Sequence, residues 1–139
     1  MANSFTKAYQ KESVKSRLAG ADSYTIITML MQGALERLAR GKGCIERNDL
    51  AGKAEHLSRA SSIILALMES LDHSVGGEVT QNLSSLYEYM NMRITDASIE
   101  KSVDPLVEVM TLMNEIKGAW DAIPRDEVEN ALMLQQQRG

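Results

Sequence analysis

Chemistry in a small protein needs ligands or nucleophiles that converge, and the first candidates are His56, His73 and Cys44, the only histidines and cysteine among 139 residues. A carboxylate-bridged metal pair built on helices requires Glu-x-x-His twice, with both ligands on one inward face. Lys53 stands three residues before His56, and Ser70 three before His73. Neither histidine has the carboxylate it would need. A single cysteine supplies neither the Cys-x-x-Cys-His attachment of haem nor an internal disulfide. The sequence carries no Gly-x-Ser-x-Gly elbow, phosphate-binding glycine loop or His-Glu-x-x-His. Cys44 has only Arg40 and Arg47 as helical neighbours to lower its pKa and reads as a small hydrophobe. His56 reads as a boundary residue on the edge of an apolar stripe, and His73 as a last-turn residue that complements a helix dipole. These readings point away from an enzyme, and no metal or cofactor is expected.

The elements that would position any site are helices. Leu50, Ala54, Leu57, Ser61, Ile64, Met68, Leu71 and Val75 alternate spacings of four and three, which is one continuous helix stripe. The same spacing runs through Ile27, Met31, Ala34, Leu38, Gly41 and Ile45. It runs again through Val79, Leu83, Leu86, Met90, Ile94 and Ala97, and through Leu106, Val109, Met113, Ile116, Trp120 and Ile123. Punctuation fits between them. Asp22 or Ser23 can cap the first helix, Asn48-Asp49 opens the second, Gly76-Gly77 separates second from third, and Asp104 precedes an N1 proline at Pro105. Short links favour antiparallel neighbours. The expectation is an all-α, antiparallel up-down four-helix bundle with a short N-terminal helical segment. It is read as a single domain over residues 1–139, with an N-terminal segment to residue 22, the bundle over 23–123 and a mobile tail over 124–139.

Composition narrows the function. Hydrophobic residues are 44% and charged residues 24% of the chain, enough apolar material for one packed core. A net charge of −4 gives a phosphate backbone nothing to prefer. Lys7, Lys11, Lys15 and Arg17 are interrupted by Glu12 and read as a solvated face, so no nucleic acid is expected. No apolar run is long enough for a membrane span, and the lone thiol suits a reducing cytoplasm.

What the chain has in excess is apolar surface. Ile26, Met29, Leu30 and Leu35 flank the first stripe, Tyr87, Tyr89 and Met92 the third, and Leu106, Val107, Met110 and Leu112 the fourth. Surplus apolar grooves between helices suit amphipathic helices of a partner, and methionines suit surfaces that repack around one. On spacing alone, Ile26, Met29, Tyr89 and Met92 are the expected client-binding residues. Trp120 closes the fourth stripe and is expected to pack structurally. A regulatory four-helix dimerisation module would share this composition.

Several separate anchors now make a resemblance. They are Ala8-Tyr9-Gln10, Ile27 through Ala34, Gly76-Gly77-Glu78, Asn82-Leu83, Leu86 through Met90, Arg93, Ala97, Glu108-Val109 and Ala119-Trp120. In this order and spacing the chain resembles the flagellar secretion chaperones of the FliS family. It departs locally, with Asp22-Ser23 where the family typically has Ser-Pro and Met31-Gln32 where an aromatic-acidic pair is common. The resemblance implies a bacterial cytoplasmic chaperone that binds the disordered C-terminal segment of flagellin, blocks its polymerisation and delivers it to the flagellar export gate. A co-chaperone or regulatory protein is a further expected partner, and the client-free chain is expected to be a monomer or weak homodimer. Phe5 and Tyr9, four residues apart, form an apolar cluster too short to stand alone in water. With Gln10 they are expected to cover the grooves and, once displaced, to contact the export gate.

Overall fold

A computed structural model of the chain describes residues 22–138. Five helices follow one another: α1 (Ser23–Glu46), α2 (Leu50–Glu69), α3 (His73–Glu100), α4 (Asp104–Asp121) and α5 (Arg125–Arg138). No strand occurs among the described residues.

Side chains start most of these helices where the sequence places them. Asp22 Oδ1 accepts from the Thr25 amide at 2.7 Å, and this bond holds the carboxyl below its usual range. Asp49 caps α2 through the Gly52 amide at 3.0 Å, with Asn48 before it in the left-handed region. The α2–α3 break falls earlier than Gly76-Gly77. Asp72 accepts from the Ser74 amide at 3.0 Å and starts α3 at His73, so the glycines lie inside the helix as a kink at Gly77 (φ 54°). His73 is therefore a first-turn residue of α3, not a last-turn residue of α2, and it completes no helix dipole. Asp104 sits just inside α4, whose N-cap position is Val103.

Residues 28–122 form one compact unit. Its core is Met31, Ala34 and Leu38 of α1, Leu57, Ala60, Ile64 and Leu67 of α2, Tyr87, Met90, Ile94 and Ala97 of α3, and Leu106, Val109 and Met113 of α4. Full burial of each Leu or Ile here contributes about 1.5 to 3 kcal/mol. The stripe of α3 begins one residue later than expected, at Thr80, which is buried, while Val79 is 75% exposed. Tyr87, expected among the surplus, is core instead, and burial pushes its phenol up to about 12. Cys44 is buried as a small hydrophobe.

Neighbours are antiparallel. Lys53 Nζ donates to the Ser98 carbonyl at 2.9 Å and Asn91 Nδ2 to the Ser61 carbonyl at 3.4 Å, so α2 and α3 run oppositely. Arg37 donates to His56 Nδ1 at 3.0 Å between α1 and α2, and Trp120 Nε1 to Thr28 Oγ1 at 2.9 Å between α4 and α1. Close backbone approach is extensive for α2 with α3 and for α3 with α4, where Ala60 and Ala97 let the axes come together; α1 stands further off.

A second unit joins the described residues up to Ile27 with those from Ile123 onward. Within it Ser23 Oγ donates to Gln135 Oε1 at 2.7 Å. The segment read as a tail is helical over Arg125–Arg138, with Asp126 and Glu127 in its first turn complementing the dipole.

Two glycines test this packing with opposite signs. A Cβ at Gly41 would overlap the buried Leu57 side chain, whereas one at Gly118 meets nothing within 4 Å. Gly41→Ala is expected to destabilise by about 1 to 2 kcal/mol, overpacking outweighing helix propensity. Gly118→Ala should stabilise by about 0.5 to 1 kcal/mol. Urea unfolding midpoints moving in the same direction would contradict this packing.

Candidate functional site

The four seams between neighbouring bundle helices differ in what closes them. Between α3 and α4, Glu108 Oε1 accepts from Tyr89 at 2.9 Å and from Arg93 Nε at 2.7 Å, and Arg93 Nη1 reaches Asp96 at 3.0 Å. The bond from Arg93, then that from Tyr89, holds the Glu108 carboxyl below its usual range. The same bond to Glu108 raises the Tyr89 phenol. Between α2 and α3, the Lys53 and Asn91 side chains grip main-chain carbonyls of the opposite helix. Both seams are latched by polar groups.

The seams flanking α1 are more apolar. Toward the start of α1, Met29 is half-buried one turn before Gly33, whose missing Cβ faces Ile63 of α2 at 3.5 Å. On the other edge, helical spacing sets Leu35 and Ala39 in line with Thr28, and Val103, Val107 and Met110 along the facing edge of α4. Leu35, Val103 and Met110 are half-buried, Ala39 is exposed and Val107 is 44% exposed. The Trp120–Thr28 bond closes one end of this α1–α4 seam. Trp120 itself is half-buried, so its role is to tie the end of α4 to the start of α1.

Within the unit of residues 28–122, the residues expected at a client site do not share one seam. Ile26 lies half-buried in the first turn of α1, within the second unit, and Met29 lies on the α1 edge that faces α2. Tyr89 belongs to the latched α3–α4 seam, while Met92, 54% exposed, points outward from α3. Phe5, Tyr9 and Gln10 lie outside the described residues. Leu35, Val107 and Met110 stood out in the sequence as surplus, and all three keep part of their surface exposed.

A shallow open notch at one end of the bundle is lined by Cys44, Asp49, Leu50, Lys53 and Lys101 among others. Cys44 Sγ lies 3.7 Å from both Asp49 Oδ2 and Arg47 Nη2. Among the described residues no group of three or more His, Cys, Asp or Glu gathers as metal ligands, and no helix is long and apolar enough to cross a membrane.

Comparison with known proteins adds an independent finding. The family model of flagellar protein FliS matches residues 5–127. A flagellar secretion chaperone FliS of Vibrio cholerae is 40% identical over 118 residues, covering 85% of this chain and 87% of that protein. Flagellar secretion chaperone FliSB of Pseudomonas aeruginosa is 40% identical over 117 residues, covering 84% and 93%. The FliS chaperone of Salmonella typhimurium is 38% identical over 118 residues, covering 84% and 87%.

The latch between α3 and α4 has a pH signature. A carboxyl lowered on folding contributes stability above its unfolded pKa, and that contribution is lost as pH falls through the folded value. Glu108→Gln should therefore lower the urea midpoint slightly at neutral pH, and the difference from wild type should fade as pH drops below about 4. A difference independent of pH would show that Glu108 acts by packing rather than charge.

Proposed function

This chain belongs to the flagellar protein FliS family, and on that premise we propose that it is a cytoplasmic export chaperone whose client is the C-terminal segment of flagellin. The observation that carries the reading is the partly exposed aliphatic surface on α1 and α4, where Leu35, Val103 and Met110 are half-buried and Val107 is 44% exposed. A disordered client segment that becomes an amphipathic helix gains most where it covers partly exposed aliphatic surface, and must gain enough to offset its own ordering. Met110, Met113 and Met29 lie on or beneath the seams flanking α1, and their flexible side chains can repack around an inserted helix. No bond is made or broken in this work. Occupying the segment keeps flagellin from polymerising, and handing the complex to the flagellar export gate completes the task.

Binding should be read by isothermal titration of the full chain with the flagellin C-terminal segment. Val107→Asp introduces a charge at a partly exposed site outside the core and is expected to weaken binding by more than tenfold while leaving the unfolding midpoint within about 0.5 kcal/mol of wild type. Met92→Asp, on the outer side of α3, tests whether the client wraps beyond this seam. Undiminished affinity in Val107→Asp would move the client elsewhere, and no binding by wild type would remove the proposal. The delivery step is read separately, as flagellin secreted by cells that carry each variant.

A further inference from the structure

We propose that Lys42 and Lys117 select the client at the α1–α4 seam, favouring an amphipathic helix that carries two acidic side chains about eleven residues apart, with aliphatic residues between them. Such selection rests on the chaperone reading of that seam. Seven residues make about two turns, so Lys42 lies on the edge of α1 that carries Thr28 and Leu35, and Lys117 on the edge of α4 that carries Val103 and Met110. Each lysine is paired one turn along its own helix, Lys42 with Glu46 at 3.6 Å and Lys117 with Asp121 at 2.7 Å. Glu46 stands in line with exposed Ala39, and Asp121 in line with exposed Val107, so both carboxylates are set further out. Exposure agrees, the lysine side chains being 35% and 22% exposed and their partners 54% and 46%. Cations therefore line the inside of the seam and anions its outer rim.

Helix geometry sets the spacing. The Trp120–Thr28 bond aligns the end of α4 with the start of α1, and the two helices run oppositely. Lys117, three residues before Trp120, is then level with the turn of α1 at Met31. Lys42 lies eleven residues further along α1, about 17 Å away at 1.5 Å per residue. Leu35, Ala39 and Met110 fall between the two lysines. A client helix laid along the seam has the same rise, and eleven residues carry it through three turns with only about 20° to spare. Two of its acidic residues at that spacing share one face, and each comes level with a lysine while the turns between them cover the aliphatic stretch.

The lysines reject as well as attract. An ammonium group has three donors, and the single carboxylate at the rim cannot meet them all. A helix that covers the seam takes water away from the remaining donors, which is unfavourable unless the helix brings an acceptor of its own. A carboxylate supplies one, whereas an aliphatic or basic side chain at the same point leaves a covered charge unmet or faces it with a like charge. Partly exposed pairs such as Lys42–Glu46 and Lys117–Asp121 add little to stability, so sharing each lysine with a second carboxylate costs the fold little. Aliphatic contact supplies affinity, and the two cations supply choice of client.

Isothermal titration of the full chain with synthetic helical peptides tests the proposal. Two peptides share one aliphatic stripe and differ only at two positions about eleven apart, which hold Glu in one and Lys in the other. At about 50 mM salt the Glu peptide should bind about tenfold more tightly or better, and the gap should narrow at about 0.5 M salt as the charges are screened. A third peptide with its two Glu about nine apart, on opposite faces, should lose the advantage. Lys42→Gln/Lys117→Gln should bind the first two peptides equally, and Lys42→Glu/Lys117→Glu should prefer the Lys peptide, with circular dichroism verifying that both variants stay helical. Equal affinity of wild type for the Glu and Lys peptides, a preference that survives in Lys42→Gln/Lys117→Gln, or binding of neither peptide would each overturn the proposal. The flagellin C-terminal segment is titrated alongside: its binding without discrimination between the peptides removes the selection alone, and its failure to bind removes the chaperone reading itself.

Discussion

The packing of α3 between α2 and α4 is the constraint from which the rest of the bundle follows. Tyr87, Met90, Ile94 and Ala97 are buried on one side of that helix, and Ala60 and Ala97 allow its backbone to approach its neighbours closely. Helices that come this near bring side chains within reach of main-chain carbonyls across the seam. Lys53 and Asn91 use that reach on one flank, while Tyr89 and Arg93 meet at Glu108 on the other. Partly exposed ion pairs add little stability individually. Their larger effect is to occupy the seam edges with polar groups that a greasy segment has no reason to displace.

Larger side chains keep α1 at a distance. Met31 and Leu38 fill the space beneath it, and its edges carry Leu35, Ala39 and Met29 beside two hydrogen bonds, Arg37 to His56 and Trp120 to Thr28. The division of labour is physical: the close-packed α2–α3–α4 layer provides rigidity, and the wider-set α1 provides apolar surface that another helix can cover. Under the proposed function, a client gains its affinity there without asking the core to open.

Much of this was legible in the residues. The stripes through Ala34 and Leu38, Ile64, Met90 and Ile94, and Leu106 through Met113 are core as their spacing implies, and Asp22 and Asp49 cap where expected. The glycine pair does interrupt the helix, at Gly77, but the turn of helix that starts before it at His73 depends on the Asp72 cap, a side-chain bond that spacing does not reveal. Counting back from Met90, spacings of three and four are both helical, so Leu86 and Val79 fit a stripe as well as Tyr87 and Thr80, and only the packed structure shows that the latter pair is buried. The site was less legible for a related reason. Periodicity says that Met29, Tyr89 and Met92 lie off the main stripes, but which seam each borders depends on how four helices are arranged. Only that arrangement shows Tyr89 tied to Glu108.

The central claim is that the client lies along the α1–α4 seam and not over the latched faces of α3. Site-specific photo-crosslinking addresses this directly, with a photoreactive residue placed at Val107 and, in separate proteins, at Asp96 and Ser58. With the flagellin C-terminal segment bound, strong adducts are expected from position 107 and none above background from positions 96 and 58. Adducts of equal yield at all three positions, or at 96 and 58 without 107, would contradict the assignment of α1 as the client-bearing helix.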